Sequence, residues 1–532
     1  MSRTAWSPAE HPLLRPGSPF EIEADGGRGP GFRQGPHGLG EVYRRARRLG
    51  DKVLIVDGSE RLSYAEVFAR ADGLAARLTA VEGVAANQRV VLALASGAAW
   101  AIWFVALTGL GAGVVAVEPE PQAVARATAL SGAAFVVAEA GLVPEGVAGL
   151  APSLAVDAPP AAQDVAAPAE AGAADQVAVV AFTSGSSGAP KGVVHTHRSL
   201  LTGLRNGMLG AALLAAERPR PEGPPQRPAP PCTLLLAPLS YVAGFSALIL
   251  ALMTSGRLVL ASPGLDAAAI AGIIHDEGVR SIVGPSPALL SGLTTTPRER
   301  LASLAGLHLH GGAASAALSD LLLAHLPWLA ISRSYGLTET AGTLAVGAFA
   351  DLRDRDGAVG RILPSVDFRI LSENGEAAAP GAPGSLHVRG EMLMSGYLTP
   401  AGLEPAPDWF PTGDLGFVDG EGYLHIERER PPLDLVAGVV SRQRVEALAL
   451  ACDGIIDAVV CVRPGEGGGQ TVMLALEVGG DPVASQVKVA RALGERFAFA
   501  GDFTVKAFRR LPRLASGKPD TGALWEWSDP PI

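Results

Sequence analysis

The sequence predicts an α/β protein: a large N-terminal domain of layered α/β sheets with a small β-rich unit, followed by a small α+β C-terminal domain. Three observations lead to this prediction. The 532-residue chain exceeds what one hydrophobic core usually supports, and its hydrophobic content of 48% is ample for large cores. Strand-like and helix-like patterns alternate to about residue 345, which is typical of layered, largely parallel sheets. Short strands separated by glycine turns follow, and a second alternation begins beyond Arg430.

We place the domain boundary so that the N-terminal domain spans 1–429 and the C-terminal domain spans 430–532. Residues 1 to about 35 are rich in Gly and Pro and are expected to form an extended arm. The segment 139–174, dense in Ala, Pro and Gly, is predicted to be a surface connection. The proline-rich segment 217–231 is predicted to be a loop.

Individual elements follow from periodicity and capping. Ser63, with Glu66 three residues later, forms a capping-box pattern that predicts the start of a helix over 62–78. The other predicted helices are 98–108, 200–216, 442–451 and 483–497. The predicted strands are 90–94, 114–117, 177–182, 233–237, 366–371, 385–388, 422–426, 456–462 and 471–478.

Charge and cysteine content bear on partners and location. The net charge of -10 disfavours nucleic acid and anionic membranes as partners. The three cysteines are widely spaced and odd in number, which fits a reduced cytoplasmic protein, and the N-terminus shows no signal-peptide pattern. Residues 90–117 carry no charge and could cross a bilayer, but the glycine break at 109–113 favours a buried strand–helix–strand unit without a transmembrane segment.

A glycine-serine segment at 183–192 follows the predicted strand 177–182. Its glycines permit tight turns and close approach of backbone amides to a ligand, and its hydroxyls and Lys191 suit phosphate oxygens. The lysine follows Ala-Pro and precedes Gly, so the segment is not a Walker loop. A flexible surface loop is the alternative interpretation. The candidate phosphate ligands are Thr183, Ser184, Gly185, Ser186, Ser187, Gly188 and Lys191.

A second motif, at 334–340, places an aromatic ring, a hydroxyl and a carboxylate at the end of a predicted strand, where α/β sheets hold ligands. Tyr335 suits stacking on a purine, Thr338 suits a phosphate oxygen, and Glu339 suits Mg²⁺ beside a polyphosphate. Gly336 provides the turn. The motif could alternatively be the capped start of a helix.

Two weaker signals follow along the chain. Asp414, flanked by glycines in 409–416, suits bidentate hydrogen bonding to a ribose diol, although Asp-Gly turns are common in any β unit. Lys518 follows Ser516 and Gly517 near the C-terminus. A lone lysine in such a turn is usually an exposed surface residue.

Together these motifs resemble those of the adenylate-forming (AMP-binding) superfamily, which includes acyl- and aryl-CoA synthetases, peptide-synthetase adenylation domains and luciferases. The resemblance covers nearly the whole chain, and the motifs stand in the order that the family shows. They are 183–192 as the phosphate loop, 335–339 as the adenine and magnesium motif, 384–397 as the linking β motif, 412–416 as the ribose motif and 516–518 as the catalytic-lysine loop.

The resemblance implies that a carboxylic acid attacks MgATP to give an acyl-adenylate, and that a thiol then displaces AMP. It implies ATP and Mg²⁺ as cofactors and CoA, or alternatively an acyl carrier protein, as acceptor. It also implies that the C-terminal domain is mobile, since Lys518 must approach for adenylation and withdraw afterwards. The implied catalytic residues are Lys518, Lys191, Thr338 and Glu339, with Glu339 on the metal.

The resemblance also assigns further binding residues. Tyr241 stands where relatives usually carry a histidine beside the acyl group, and 238–252 contains no acidic residue to pair a substrate ammonium, which disfavours an α-amino acid. His308 and His310 alternate on a strand, but no third metal ligand is evident. The implied nucleotide ligands beyond the phosphate loop are Gly312, Ala313, Tyr335, Gly336, Thr338, Asp414 and Arg430. The implied substrate pocket is Tyr241, Gly244, Ser286 and Gly311.

The sequence departs from the family at the hinge. Pro431 and Pro432 fix two φ angles where relatives have a backbone pivot, and Asp434 is the alternative pivot. Arg430 is the candidate ribose-contacting arginine, with Arg428 as the alternative. The leading hypothesis is an AMP-forming acyl- or aryl-CoA synthetase for an uncharged or weakly polar acid. The alternatives are an enzyme that passes the acyl group to a carrier-protein thiol or an amine, and a degenerate nucleotide-binding regulatory or partner protein.

Overall fold

The computed structural model describes most of the chain. The described residues are 6, 11–24, 28–157, 173–183, 191–218, 230–262, 264–310, 316–355, 357–428, 433–435, 438–440, 442–465, 469–498, 502–513 and 519–526.

Strands alternate with helices along these residues. The strands up to residue 310 are β1 (Ile22–Glu23), β2 (Gly31–Phe32), β3 (Val53–Asp57), β4 (Glu60–Ser63), β5 (Arg89–Leu92), β6 (Gly113–Ala116), β7 (Phe135–Val137), β8 (Ala148–Leu150), β9 (Val177–Phe182), β10 (Gly192–Thr196), β11 (Cys232–Leu235), β12 (Arg257–Leu260), β13 (Ser281–Val283) and β14 (Gly306–His310). The later strands are β15 (Ala330–Leu337), β16 (Gly342–Ala348), β17 (Ala358–Ile362), β18 (Asp367–Leu371), β19 (Gly384–Arg389), β20 (Gly396–Thr399), β21 (Gly402–Pro405), β22 (Phe410–Val418), β23 (Tyr423–Arg428), β24 (Leu433–Leu435), β25 (Gly438–Val440), β26 (Ile455–Pro464), β27 (Gln470–Val478) and β28 (Asp502–Phe508).

The helices connect these strands. In chain order they are α1 (Leu39–Ala46), α2 (Tyr64–Arg77), α3 (Ala98–Gly109), α4 (Pro121–Ser131), α5 (Leu154–Asp157), α6 (His197–Glu217), α7 (Val242–Thr254), α8 (Ala267–Glu277), α9 (Pro287–Leu293), α10 (Ala316–His325), α11 (Phe349–Leu352), α12 (Arg442–Leu450), α13 (Pro482–Gly494) and α14 (Thr521–Glu526). No helix within the described ranges is both long enough and apolar enough to cross a bilayer.

Two large sheets contain most of the strands. The first has the order β21-β20-β10-β9-β6-β5-β7-β8 and is parallel from β9 to β8. The second has the order β18-β19-β22-β23-β17-β16-β15-β14-β13-β11-β12-β3-β4 and is parallel from β15 to β3. The predicted α/β class with largely parallel sheets is confirmed. The carboxyl ends of these parallel strands carry the residues described below, as expected for open α/β sheets.

Helices α2, α3 and α7 fill the space between the two sheets. Their buried side chains belong to one core cluster together with strand residues of both sheets, such as Val90 and Leu258. Trp100 stacks on Phe104 at 5.3 Å, and Phe104 stacks on Phe245 at 6.3 Å between ring centroids. The uncharged segment 90–117 is therefore a buried strand–helix–strand unit, as the sequence predicted.

The capping pattern in the sequence predicted the start of α2 correctly. The side chain of Ser63 accepts a hydrogen bond from the Glu66 amide, and the Glu66 carboxylate accepts from the Ser63 amide, which completes the predicted capping box of α2. The predicted surface connection over 139–174 contains a short strand that the sequence did not predict. Its residues 148–150 form β8, which pairs with β7 at the edge of the first sheet.

The β-rich region after residue 345 does not stand apart from the large sheets. Strands β17, β18, β19, β22 and β23 extend the second sheet with antiparallel pairing, while β20 and β21 extend the first. This distribution brings 384–416 against both sheets and so positions the residues of the site.

Beyond residue 433 the chain forms a separate small core. Strands β26, β27 and β28 form one sheet, with β28 parallel to β27, and buried side chains of α12 and α13 share its core cluster. The sequence predicted both helices and two of these strands but not β28.

Candidate active site

The base of the glycine-serine segment is closed by backbone pairing. Strands β9 and β10 form an antiparallel hairpin in which Phe182 lies opposite Gly192. The amide of Thr183 donates to the carbonyl of Lys191 at 3.1 Å, which continues the ladder by one pair. The hairpin therefore fixes Thr183 and Lys191, while Ser184, Gly185, Ser186, Ser187 and Gly188 lie outside the described residues.

A tyrosine and an aspartate from two distant motifs meet in the site. Tyr335 lies near the end of β15, and its hydroxyl donates to Oδ2 of Asp414 on β22 at 2.6 Å. The Asp414 amide donates to Oγ1 of Thr412 at 3.2 Å, and Gly413 has a φ of +88°, a conformation that favours glycine. The adenine-type and ribose-type residues of the sequence are therefore neighbours.

Gly336 is required by a close approach within the β15–β16 hairpin. A Cβ at this position would lie 1.8 Å from the carbonyl oxygen of Gly342, so any side chain would force the two strands apart. A bulge between Tyr335 and Gly336 interrupts the register at this point. The sequence-based alternative, a capped α-helix start, is wrong, because only the short 3₁₀ turn Thr338–Thr340 follows β15.

That turn, which carries Thr338 and Glu339, is held from two sides. His195 on β10 is fully buried, and its Nε2 donates to the carbonyl oxygen of Thr338 at 2.7 Å, while Ser199 Oγ lies 3.0 Å from Nδ1. The amide of Met394 donates to the carbonyl oxygen of Glu339 at 2.8 Å. The phosphate-loop hairpin and the linking β motif thus both fix the Glu339 turn.

Tyr397 on β20 lies between the two charged residues. Its hydroxyl donates to Oε1 of Glu339 at 2.7 Å, and the Lys191 ammonium lies 4.9 Å from its ring centroid. Burial, with the neighbouring Glu339 carboxylate, raises the pKa of Tyr397, so its hydroxyl remains a donor at neutral pH.

The predicted acyl side lies at the carboxyl ends of β6 and β11. Tyr241 is half-buried and immediately precedes α7. Its neighbour Ser240 hydrogen-bonds to the carboxylate of Glu118, which follows β6, and burial raises the pKa of Glu118. An acid is therefore present beside this segment, although 238–252 contains none.

Two predicted pocket residues have clear structural roles. A Cβ at Gly244 would lie 1.9 Å from the carbonyl oxygen of Pro238, so glycine allows the first turn of α7 to pack on that segment. Ser286 caps α9, since its hydroxyl accepts from the Leu289 amide at 3.2 Å. Gly244 follows β11 and Ser286 follows β13, so both residues lie beyond the carboxyl ends of strands of the second sheet.

Several predicted site residues lie outside the described residues. These are Gly311, Gly312, Ala313, Arg430 and Lys518, together with the hinge prolines Pro431 and Pro432. His308, one of the two histidines that alternate on β14, is hydrogen-bonded within the sheet, since its Nδ1 lies 2.7 Å from the Ser332 hydroxyl.

The segment that contains Lys518 is flanked by ordered structure. Arg513 and Pro519 pair as an antiparallel bridge, and the Asp520 amide donates to the carbonyl oxygen of Pro512 at 2.8 Å. Arg513 donates to Asp457 at 2.7 Å and to Glu477 at 2.9 Å. The base of this segment is therefore anchored in the small domain.

The donor set fits a nucleoside triphosphate with a divalent cation. Glu339 offers a carboxylate oxygen of the kind that Mg²⁺ prefers, and Lys191 offers a cation for phosphate oxygens. Asp414 offers two acceptors for a diol. Within the described residues there is no cluster of three or more His, Cys, Asp or Glu side chains that could hold a metal alone, so substrate phosphates and water would have to complete the coordination.

Sequence reasoning missed three residues: His195, Tyr397 and Glu118. His195 directly follows the apolar residues Val193 and Val194 of β10, and this change to a polar residue within a buried strand is a usable signal. Tyr397 was included only as the end of a motif. Glu118 gave no signal, because its contact with Ser240 joins residues 122 positions apart.

The β9–β10 hairpin on the first sheet and the Tyr335–Asp414 pair on the second hold the residues that the resemblance to adenylate-forming enzymes assigns to the nucleotide. Comparison with known proteins agrees, since the family described as "AMP-binding enzyme" matches residues 42–398, more than half of the chain. The chain belongs to this family.

Individual relatives show which members of this family the chain is similar to. 4-Coumarate–CoA ligase 5 of Oryza sativa subsp. japonica is 28% identical over 79% of this chain and 81% of its own length. 2-Succinylbenzoate–CoA ligase of Bacillus licheniformis is 28% identical over 90% of this chain and 97% of its own. The structure of o-succinylbenzoate CoA synthetase from Bacillus subtilis with its acyl-adenylate intermediate has a TM-score of 0.71 at 21% identity, covering 92% of this chain and 99% of that one. This chain is thus similar to AMP-forming acyl- and aryl-CoA ligases.

Two buried histidines beside the site predict a loss of stability in acid. Burial lowers the pKa of His195 and of His197 to about 4, whereas an unfolded chain titrates near 6.5. Between these values only the unfolded state binds the proton, so the free energy of unfolding falls as pH drops through this window. We expect each histidine to contribute a loss of about 2 kcal/mol between about pH 7.5 and pH 5.

Urea unfolding followed by tryptophan fluorescence across this pH range measures the effect. The variant His195→Gln keeps a donor for the Thr338 carbonyl but does not titrate. Its unfolding free energy should therefore depend less on pH than that of the wild type by about 2 kcal/mol. Equal pH dependence in the two proteins would contradict the prediction.

Proposed function

We propose that this enzyme activates an aromatic or otherwise weakly polar carboxylic acid with MgATP and transfers the acyl group to CoA. The observation that carries the proposal is the convergence of two groups of residues. The Tyr335 hydroxyl donates to Asp414 at 2.6 Å. Lys191 and Glu339 are joined through Tyr397, whose hydroxyl donates to Glu339 at 2.7 Å and whose ring centroid lies 4.9 Å from the Lys191 ammonium. The names of the two curated relatives, both ligases of acids that contain an aromatic ring, support the aryl acid.

The nucleotide is proposed to extend from Asp414 to the glycine-serine segment. Asp414 accepts hydrogen bonds from the ribose diol, and Tyr335, already bonded to Asp414, lies against the adenine. Thr183, Lys191 and Thr338 contact phosphate oxygens. The bacterial o-succinylbenzoate CoA synthetase, which has also been solved with ATP and a magnesium ion, supports this use of the fold.

The magnesium site is proposed at Glu339. A divalent cation bound there would withdraw charge from the phosphates and so favour departure of pyrophosphate. The protein itself would contribute by fixing the position of the Glu339 carboxylate, since His195, Met394 and Tyr397 hold the turn that carries it. A preoriented group needs no rearrangement when negative charge develops.

The acyl group is proposed to lie beside Tyr241. The buried Glu118 and Ser240 give this side of the site a polar boundary, which suits an acid that carries a hydroxyl or another donor. Gly244, Ser286 and Gly311 are proposed as the other residues of the acyl pocket.

Lys518 is proposed to bridge the substrate carboxylate and the α-phosphate. Two anions must approach each other in this step, and a cation between them lowers the cost of that approach. We propose that residues 430–532 form the mobile domain that delivers Lys518 and then withdraws so that the thiol of CoA attacks the acyl carbon and releases AMP. The separate core of 433–524 supports this division.

The deciding experiment is a pair of assays with a panel of aryl and acyl acids. Acid-dependent exchange of pyrophosphate into ATP reports adenylation, and CoA-dependent AMP release reports transfer. Both should occur with the same acid. Exchange without any acceleration by CoA would reject CoA and leave the carrier-protein thiol or an amine as acceptor. The absence of exchange with every acid would reject the proposal.

A further inference from the structure

Tyr397 contacts the cationic and the anionic residue of the polyphosphate side at the same time. Its hydroxyl donates to Glu339 at 2.7 Å, and its ring centroid lies 4.9 Å from the Lys191 ammonium. Lys191 and Glu339 come from different sheets, and Tyr397 is a side chain that joins them. None of the sequence motifs assigns it a role.

Strand register explains the ring contact. Strand β20 runs antiparallel to β10 with Tyr397 opposite Val193 and Leu398 opposite Gly192. Lys191 and Tyr397 are therefore diagonal neighbours on one face of the pair, a spacing that long and aromatic side chains can cross. The amides of Met394 and Ser395 donate to Glu339 and Val194 at 2.8 Å each, so β20 is fixed to both partners.

We propose that Tyr397 is a positioning residue for MgATP: its ring orients Lys191 toward the phosphates and its hydroxyl orients Glu339 toward the metal. This inference rests on the nucleotide site of the proposed function, but not on the identity of the acid or of the acceptor. A hydrogen bond to a charged group and a cation–π contact are independent interactions, so the two roles are separable by substitution.

Binding of ATP, measured by calorimetry with and without magnesium chloride, separates the roles without any turnover. Tyr397→Phe keeps the ring and removes the hydroxyl. It should weaken binding of ATP in the presence of magnesium about tenfold and leave magnesium-free binding within about twofold. Tyr397→Leu removes the ring as well, and it should also weaken magnesium-free binding about threefold.

Double variants test whether each effect passes through the named partner. The difference between the Phe and Leu variants should disappear in a Lys191→Ala background, because the ring then has no ammonium to orient. The magnesium-dependent difference between wild type and Tyr397→Phe should disappear in a Glu339→Gln background. A merely structural role for Tyr397 would leave both differences in place.

Tyr423→Phe is the matched control. The Tyr423 ring lies beneath Arg355 at 4.3 Å and Arg361 at 5.3 Å, so it resembles Tyr397 in having a cation over its ring. Within the described residues its ring contacts are to these arginines and not to the proposed ATP ligands, so Tyr423→Phe should leave ATP binding unchanged.

The outcomes are distinct. Wild-type binding of MgATP by Tyr397→Phe overturns the role of the hydroxyl, and a Phe–Leu difference that persists without Lys191 overturns the role of the ring. If the wild-type chain binds MgATP but shows no acid-dependent exchange, the proposed activity is overturned. The role of Tyr397 is then still decided by the binding measurements, because they do not depend on turnover.

Discussion

Replacing Lys518 with alanine is expected to lower acid-dependent pyrophosphate exchange by at least about 100-fold, since a preorganised charge at a reacting centre contributes several kcal/mol. The substrate carboxylate and the α-phosphate are both anionic, and Lys518 is the proposed cation between them. The bridge between Arg513 and Pro519 closes the base of the segment that carries it. Exchange at saturating ATP and acid measures the effect.

The second half-reaction provides the internal comparison. In a synthetic acyl-adenylate the carboxylate and the α-phosphate are already joined. Thioester formation from this compound and CoA therefore needs no cation between them, and Lys518→Ala should retain most of this activity. Lys488→Ala is the matched control, because Lys488 is a half-exposed lysine of the same domain that pairs with Asp453 on the surface. Near-wild-type exchange by Lys518→Ala, or an equal loss in both half-reactions, would contradict the proposed role.

The sequence predicted helices and strands well where the signal comes from residues that are close together in the chain. The capping box of α2 depends on residues three positions apart, and the apolar run of β9 reports its own burial. Strand β8 was missed because its Ala-Gly-Leu sequence is only three residues long and lacks β-branched residues, and its pairing with β7 is made by backbone bonds. Backbone pairing leaves no mark on side-chain composition.

The site shows the same division. Glycine, hydroxyl and charged residues that are proposed to contact one ligand cluster in short motifs, and the sequence predicts these motifs. The side chains that hold the motifs together were missed, because their partners are remote. His195 contacts Thr338 across 143 residues, and Tyr397 contacts Glu339 across 58. Such contacts depend on sheet order and register, which no local pattern encodes.

A buried ion network makes Arg513→Met the most destabilising substitution that we expect in the small domain. Arg513, Asp457 and Glu477 have exposed side-chain fractions of 15%, 9% and 3%, so losing the guanidinium leaves two carboxylates buried together. Breaking a buried pair in this way typically costs about 3–5 kcal/mol. Hydrogen exchange of 455–464 and 470–478 in the full chain should report this loss in the free energy of opening.

The pH dependence distinguishes charge from packing. Burial already raises the pKa of Asp457, an effect that Arg513 partly offsets, so removing the arginine should raise that pKa further. A raised pKa in the folded state means that protonation favours folding, and the deficit of Arg513→Met should therefore shrink as pH falls. Arg491→Met, whose side chain is 83% exposed and pairs with Glu495, should cost no more than about 0.5 kcal/mol.

The triple variant Arg513→Met, Asp457→Asn, Glu477→Gln completes the argument. Neutral amides of similar volume remove the buried charges together, and replacing a complete ionic network in this way is often neutral or stabilising. Recovery of stability in the triple variant would assign the loss to unpaired carboxylates. Its pyrophosphate exchange would then show whether the small domain needs the ion network only to fold or also to hold the segment of Lys518, because only the second role leaves exchange impaired in a stable protein.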